Sequence, residues 1–206
     1  MTMKRMISLC LSLLLLTGAA FAGEAPISPA PSYEINPITD RTLVRVWGTA
    51  VEVEEDRARL NNSNEEDPYS DIVLNVNEDT LVLDAVTGEE LSFDQVEKDD
   101  VIYAYVGAAM TMSLPPQTTG EVIIGKIPAD QKAPEYITAV SMTANADGSW
   151  TLVSAAGKEY AVSADCRIMP YLTRQIVSLE DVEPGSNLLV WSDDQNQAQK
   201  LVLFAK

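Results

Sequence analysis

Histidine is missing from all 206 residues of this chain. Its absence removes Ser-His and Cys-His nucleophilic catalysis, the usual zinc sites and the commonest general base. Cysteine is nearly missing: Cys10 and Cys166 are the only two. Cys10 lies in an apolar leader, so one cysteine remains and a disulfide framework is excluded. Positive charge is scarce, with 14 Lys and Arg against 31 Asp and Glu, a net charge of −17. Such a surface repels phosphate backbones and anionic lipid heads, which argues against nucleic acid as a partner. Its simplest role is solubility outside the cell.

The leader has the parts of a secretory signal. Lys4 and Arg5 form a basic start, residues 7–16 an apolar core, and Ala20-Phe21-Ala22 a cleavage pattern. The spacing predicts residues 1–22 as a signal peptide and a secreted or envelope-associated protein with no stable membrane insertion after cleavage. The core is too short for a membrane span. Cleavage removes two cations, leaving 14 − 2 = 12 against 31 acids, a net of −19.

Residues 23–42 hold Pro26, Pro29, Pro31 and Pro37 without any hydrophobic period, which predicts a tether. Strand-like runs begin at LVRVWGTAVEVEE (43–55), where Leu43, Val51 and Val53 mark the pattern and Gly48 suggests a bulge. They continue through 71–76, 80–85, 101–106 and 121–127. PADQKAP (128–134) reads as a second linker, and further strand-like runs follow at 136–143, 149–155, 158–163, 166–170, 187–191 and 199–205. Asp147-Gly148 is the best hairpin signal.

The chain repeats itself. TLVLDAVTGEELSFDQVEKDDVIYAY (80–105) aligns with CRIMPYLTRQIVSLEDVEPGSNLLVW (166–191) at a constant offset of 86. Apolar positions match along the run without a gap, predicting two copies of one small β-unit, 43–127 and 135–206. Ser92 with Gln95 and Ser178 with Asp181 have the spacing of a capped helical turn. Strands, one helical turn, then two strands predict an all-β chain of two tandem OB-like barrels. Units this small bury only roughly 60% of their unfolded surface, so the two should pack together.

Beyond residue 105 the copies differ. EVII (121–124) aligns with KLVL (200–203) at an offset of 79, which gives the first copy seven extra residues. They fall on GAAMTMSLPPQTTG (107–120), and long surface loops often carry function. Met110, Met112, Leu114, Pro115, Pro116 and Gln117 form the candidate partner-binding loop, with Pro115-Pro116 expected to hold it extended. In extended chain Met110 and Met112 point the same way, a pairing that would suit Cu(I). The alternative is that the Met pair packs over the barrel end.

NNSNEEDPYSD (61–71) gathers Asn64, Glu65, Glu66, Asp67 and Asp71, oxygen ligands of a type that holds calcium, but without EF-hand spacing or its turn glycine. A solvated turn is the simpler reading. Asp84, Glu89, Glu90 and Asp94 have nothing to mark them as a catalytic carboxylate pair. In VIYAYV and NLLVW both strand faces are apolar. The face of Tyr103 and Tyr105, matched by Leu189 and Trp191, is either buried between the units or offers Tyr105 and Trp191 as a glycan platform.

LNVNEDTLVLDAVTG, AYVGAAMTMSLPPQT and PYLTRQIVSLEDVEPGSNLLVW together resemble secreted β-repeat proteins of Gram-positive, Clostridia-type bacteria. Some of these stand beside copper-amine-oxidase-N-like stalk domains, which have no counterpart in residues 43–206. The resemblance implies no activity, cofactor or catalytic residue. The expected function is a non-catalytic binding or structural module whose partner is a protein or a cell-wall component. The alternatives are a partner-binding or inhibitor protein using residues 110–119, or a calcium- or copper-binding protein.

Overall fold

Among the described residues eleven strands follow one another, and two of the connections contain a single 3-10 turn. The structure is a computed structural model that describes residues 43–204. The predicted signal peptide and tether, 1–22 and 23–42, lie outside the described residues. The strands are β1 (Val44–Val53), β2 (Arg57–Asn61), β3 (Asp71–Asn75), β4 (Leu81–Asp84), β5 (Val101–Val106) and β6 (Gln117–Gly125), then β7 (Glu135–Ala144), β8 (Trp150–Ser154), β9 (Glu159–Pro170), β10 (Asn187–Ser192) and β11 (Gln197–Leu203).

In the first unit β3, β2, β1, β5 and β6 hydrogen-bond in that order, and β3 closes on β6 in parallel. In the second, β10, β11, β9, β8 and β7 form a closed ring, with β9 parallel to β11. Both are five-stranded barrels of the OB type. The short turns sit at Phe93–Gln95 and Leu179–Asp181, 86 residues apart as the repeat requires. Gln95 accepts the Ser92 N–H at 3.3 Å, and Asp181 accepts that of Ser178 at 2.7 Å. Val96 and Val182 follow each turn and are buried under their barrels.

Strand β2 escapes the sequence pattern because it is short and puts Arg57 and Arg59 outward between buried Ala58 and Leu60. The core-facing residues of β1 are Val46 and Ala50, in the opposite phase from the one expected. A bulge between Ala50 and Glu52 resets the alternation, so Val53 reaches the barrel core while Leu43 packs between the barrels. Gly48 serves a close approach instead: a Cβ there would lie 2.9 Å from the Asn61 backbone. The runs 158–163 and 166–170 join into the long β9.

The two barrels pack through equivalent faces. Leu83, Tyr105, Val122 and Ile124 of the first meet Leu189, Val202 and Phe204 of the second in a shared apolar cluster. Ile102, Ala104 and Val106 fill the first barrel, and Leu188 and Val190 the second. The Trp191 indole N–H donates to Ala85 O at 2.7 Å, and Lys200 Nζ donates to Thr87 O at 2.8 Å across the interface. The 128–134 connection takes part in packing, since Ala133 is buried.

Candidate functional site

The β5–β6 connection of the first barrel is the chain's principal departure from its own repeat. Tyr105 pairs with Val122, and its counterpart Trp191 pairs with Lys200. The register offset across these strands is therefore 200 − 122 = 78, so the first copy is longer by 86 − 78 = 8 residues, one more than sequence alignment predicts. EVII and KLVL look alike one residue out of register because both runs are apolar on both faces.

The loop is closed at its neck. Thr111 N–H donates to Gln117 O at 2.9 Å, and Gln117 N–H returns a bond to Thr111 Oγ1 at 2.9 Å. Inside it, Ser113 Oγ lies 2.7 Å from Thr111 Oγ1 and donates to Pro115 O at 2.8 Å. Pro116 O accepts from Val73 N–H, which ties the returning limb to the strand pair that closes the barrel. The backbone bends through 112–115, against the extended run that Pro115-Pro116 suggests, and the Leu114–Pro115 peptide is cis.

The two methionines part company. Met110 packs against the first barrel's core, whereas Met112 is fully exposed. The expected Cu(I) pairing needs both thioethers to face one way, whereas here one side chain is packed on the core and the other stands in solvent. Leu114 is 97% exposed at the loop tip. Two large apolar side chains thus project into water from a hydrogen-bonded frame.

Beneath the tip runs a shallow groove of about 230 Å³. Ser113, Leu114, Pro115 and Gln117 form one wall, and Glu52, Glu54, Arg57, Arg59 and Val73 the other. Arg59 holds Asp71 through two bonds of 2.8 Å and also reaches Glu52 at 3.1 Å. The hydrogen bond from Arg59 keeps the Asp71 carboxyl below its ordinary range. Arg57 pairs with Glu54. The groove therefore carries compensated charge along its floor and an apolar lip.

The remaining candidates fall elsewhere. Asn64 Oδ1 accepts from Glu66 N–H, and Asp67 accepts from Asn62 Nδ2 at 2.7 Å and from Tyr69 N–H at 2.9 Å. With Asp71 taken by Arg59, the oxygens of 61–71 serve turns and an ion pair, while Glu65 and Glu66 face solvent. Among the described residues no three His, Cys, Asp or Glu stand together as ion ligands. Asp84 caps its own turn, accepting from Val86 and Thr87 N–H.

Tyr105 is 6% exposed and its hydroxyl accepts the Tyr136 N–H, so its ring has no face for a glycan. Burial pushes that phenol up to about 12. Trp191 lies against Gly88 at its edge, and the Lys200 ammonium sits 3.9 Å from its ring centre. Among the described residues Trp47 on β1, not singled out in the sequence, is the most exposed aromatic, at 39%. The available signal was its phase: it lies one residue from inward-facing Val46.

Comparison with known proteins leaves this geometry to speak for itself: no family model matches the chain, and no curated protein is significantly similar to it.

Proposed function

We propose that this chain is a secreted, non-catalytic binding module of the cell envelope, and that it engages a protein through the β5–β6 loop of its first barrel. The observation that carries this reading is the full exposure of Met112 and Leu114 on a loop whose backbone is fixed by its own hydrogen bonds. A pre-ordered loop loses little conformational entropy when it docks, and apolar side chains at its tip are ready anchors. The compensated Arg and Glu floor supplies a polar rim beside them. The acidic chain as a whole, at a net charge of −17, favours a partner whose apolar socket is edged with positive charge.

The non-catalytic part is supported by the chemistry that remains without histidine. Asp84 caps a turn, and Asp71 is ion-paired. Immobilised protein incubated with solubilised envelope proteins should retain a defined protein in stoichiometric amount. The Met112→Ser/Leu114→Ser variant should melt like the parent and release it. Equal retention by both would contradict the proposal.

A further inference from the structure

We propose that the second barrel carries its own docking site, the open edge of β9 at residues 167–170. Its occupant is an extended strand of a partner protein, with an apolar residue set between basic ones. The site lies on the other barrel from the loop described above and does not depend on it.

The first copy shows what belongs on this edge. There the equivalent edge is that of β4, and the chain covers it with its own residues 89–91. Leu91 N–H donates to Val82 O at 2.9 Å, and Asp84 N–H donates to Glu89 O at 2.9 Å. Glu90 lies opposite Leu83 in the antiparallel sense. The Leu91 side chain packs on the barrel core beside Gly125.

The second copy lacks this cover. The offset of 86 equates Val82 with Ile168, Asp84 with Pro170 and Leu91 with Val177. Proline has no N–H, so the bond that Asp84 makes has no counterpart. Strand β8 meets β9 only through residues 159–162, and β11 takes the other edge of 167–170. Tyr171 N–H donates to Leu203 O on the β11 side, as Ala85 N–H does to Gly125 O in the first copy. By strand alternation Arg167 and Met169 also bond toward β11, and the Ile168 N–H and carbonyl point away from it. Among the described residues no strand pairs with that outer edge.

The segment that could have closed it does something else. Residues 173–178 have no regular structure and make no backbone bond to β9. Leu172 is 72% exposed and Ile176 99%. Val82 is buried in the first barrel, whereas its counterpart Ile168 is only partly so. A groove of about 370 Å³ runs between this segment and the barrel, with Pro170, Ile176, Val177, Asp181, Leu203 and Phe204 among its walls. It begins at Pro170, two residues from Ile168.

An added strand supplies what is missing. One N–H meets Ile168 O, and the apolar side chain on that residue takes the place that Leu91 fills in the first barrel. In strand addition, main-chain bonds give affinity and alternate side chains give selectivity. The groove is lined by Asp181 and Glu183 and by neither lysine nor arginine, on a chain of net charge −17. Basic residues on either side of the apolar one suit that field.

The test is an NMR titration of the ¹⁵N-labelled full chain with the peptide acetyl-Lys-Thr-Lys-Leu-Lys-Thr-Lys-amide. The amides of 167–169 and 172–177 should move along one saturable curve, and those of 111–114 should stay in place. N-methylation of the peptide's leucine removes the N–H offered to Ile168 O and should weaken binding by about tenfold or more. Replacing every peptide lysine by glutamate should weaken it as well. Pro170→Asp/Val177→Leu rebuilds the self-closure of the first copy and should weaken binding by about tenfold. Ile176→Ser, at an exposed residue, should weaken it several-fold and keeps the test intact if the double variant does not fold. Amides of 167–169 unmoved at about 5 mM peptide, or equal binding of the N-methylated peptide, overturns the proposal. Movement of the same amides with protein concentration alone would give the edge to a second copy of this chain and overturn the partner assignment.

Discussion

The two barrels share a frame and differ in what they hang on it. Ala50 and Ala139 are both buried just before a bulge, and each exchanges backbone bonds with the loop that follows the 3-10 turn. That loop closes in the same way in both copies: Asp100 caps the Glu97 N–H, and Ser186 caps that of Glu183. What differs is the β5–β6 connection, a bent loop with two exposed apolar side chains against the tight 193–196 turn of the second barrel. The strand before the 3-10 turn differs too, broken into β3 and β4 in one copy and continuous as β9 in the other. Duplicated packing shows what the fold requires. The unduplicated parts are free of that requirement, and the proposed function rests on them.

The largest effect is expected where the copies meet. Leu189 is fully buried between the barrels, so Leu189→Ala should cost about 2–5 kcal/mol and split one melting transition into two. A loss below about 1 kcal/mol would mean that the barrels are only tethered. Gly88 comes next. It has φ +77°, and a Cβ would lie 2.6 Å from the Trp191 ring. Gly88→Ala should cost about 1–3 kcal/mol by chemical denaturation, while Arg174→Ala at the exposed equivalent stays within about 0.5 kcal/mol.

Acid should expose another asymmetry. Register places Val46 and Glu135 at equivalent sites. Burial raises the Glu135 carboxyl, but bonds from Lys158 and from the Tyr160 hydroxyl at 2.9 Å outweigh it, and the net shift is downward. A depressed folded value means stability that is present above the unfolded value and lost as pH falls through the folded one. Glu135→Gln should therefore flatten the acid limb of a stability–pH curve below about pH 4.5, whereas Val46→Ile should leave its shape unchanged. An unchanged limb in Glu135→Gln would remove Glu135 from the acid response.

The smallest effect concerns Asp99, at φ 74°, where the second copy has Gly185 at φ 85°. Asp99→Gly should gain up to about 1 kcal/mol and Gly185→Ala lose about as much, read from denaturant midpoints. A loss in Asp99→Gly would show that the side chain has its own role there.

Much of the frame was legible in the sequence because packing repeats itself: Ser92 and Ser178, Val96 and Val182, and the alternating faces of 101–106 and 187–191 all stand where the repeat puts them. The loop was visible as extra length. Its shape was not, since the Thr111–Gln117 neck and the bend at 112–115 depend on contacts between residues several positions apart. Phase in β1 was misread because a bulge leaves no mark of its own in an alternating run. The exposure of Trp47 follows from the same phase, since it alternates with inward-facing Val46 and Gly48.

One measurement addresses the functional asymmetry directly. A photoreactive residue placed at position 114, or at position 195 in the equivalent turn of the second barrel, would be activated on the intact envelope. A single protein adduct from 114 and none from 195 is the predicted result. Adducts of equal yield from both positions, or from 195 alone, would contradict the assignment of the binding surface to the first barrel's loop.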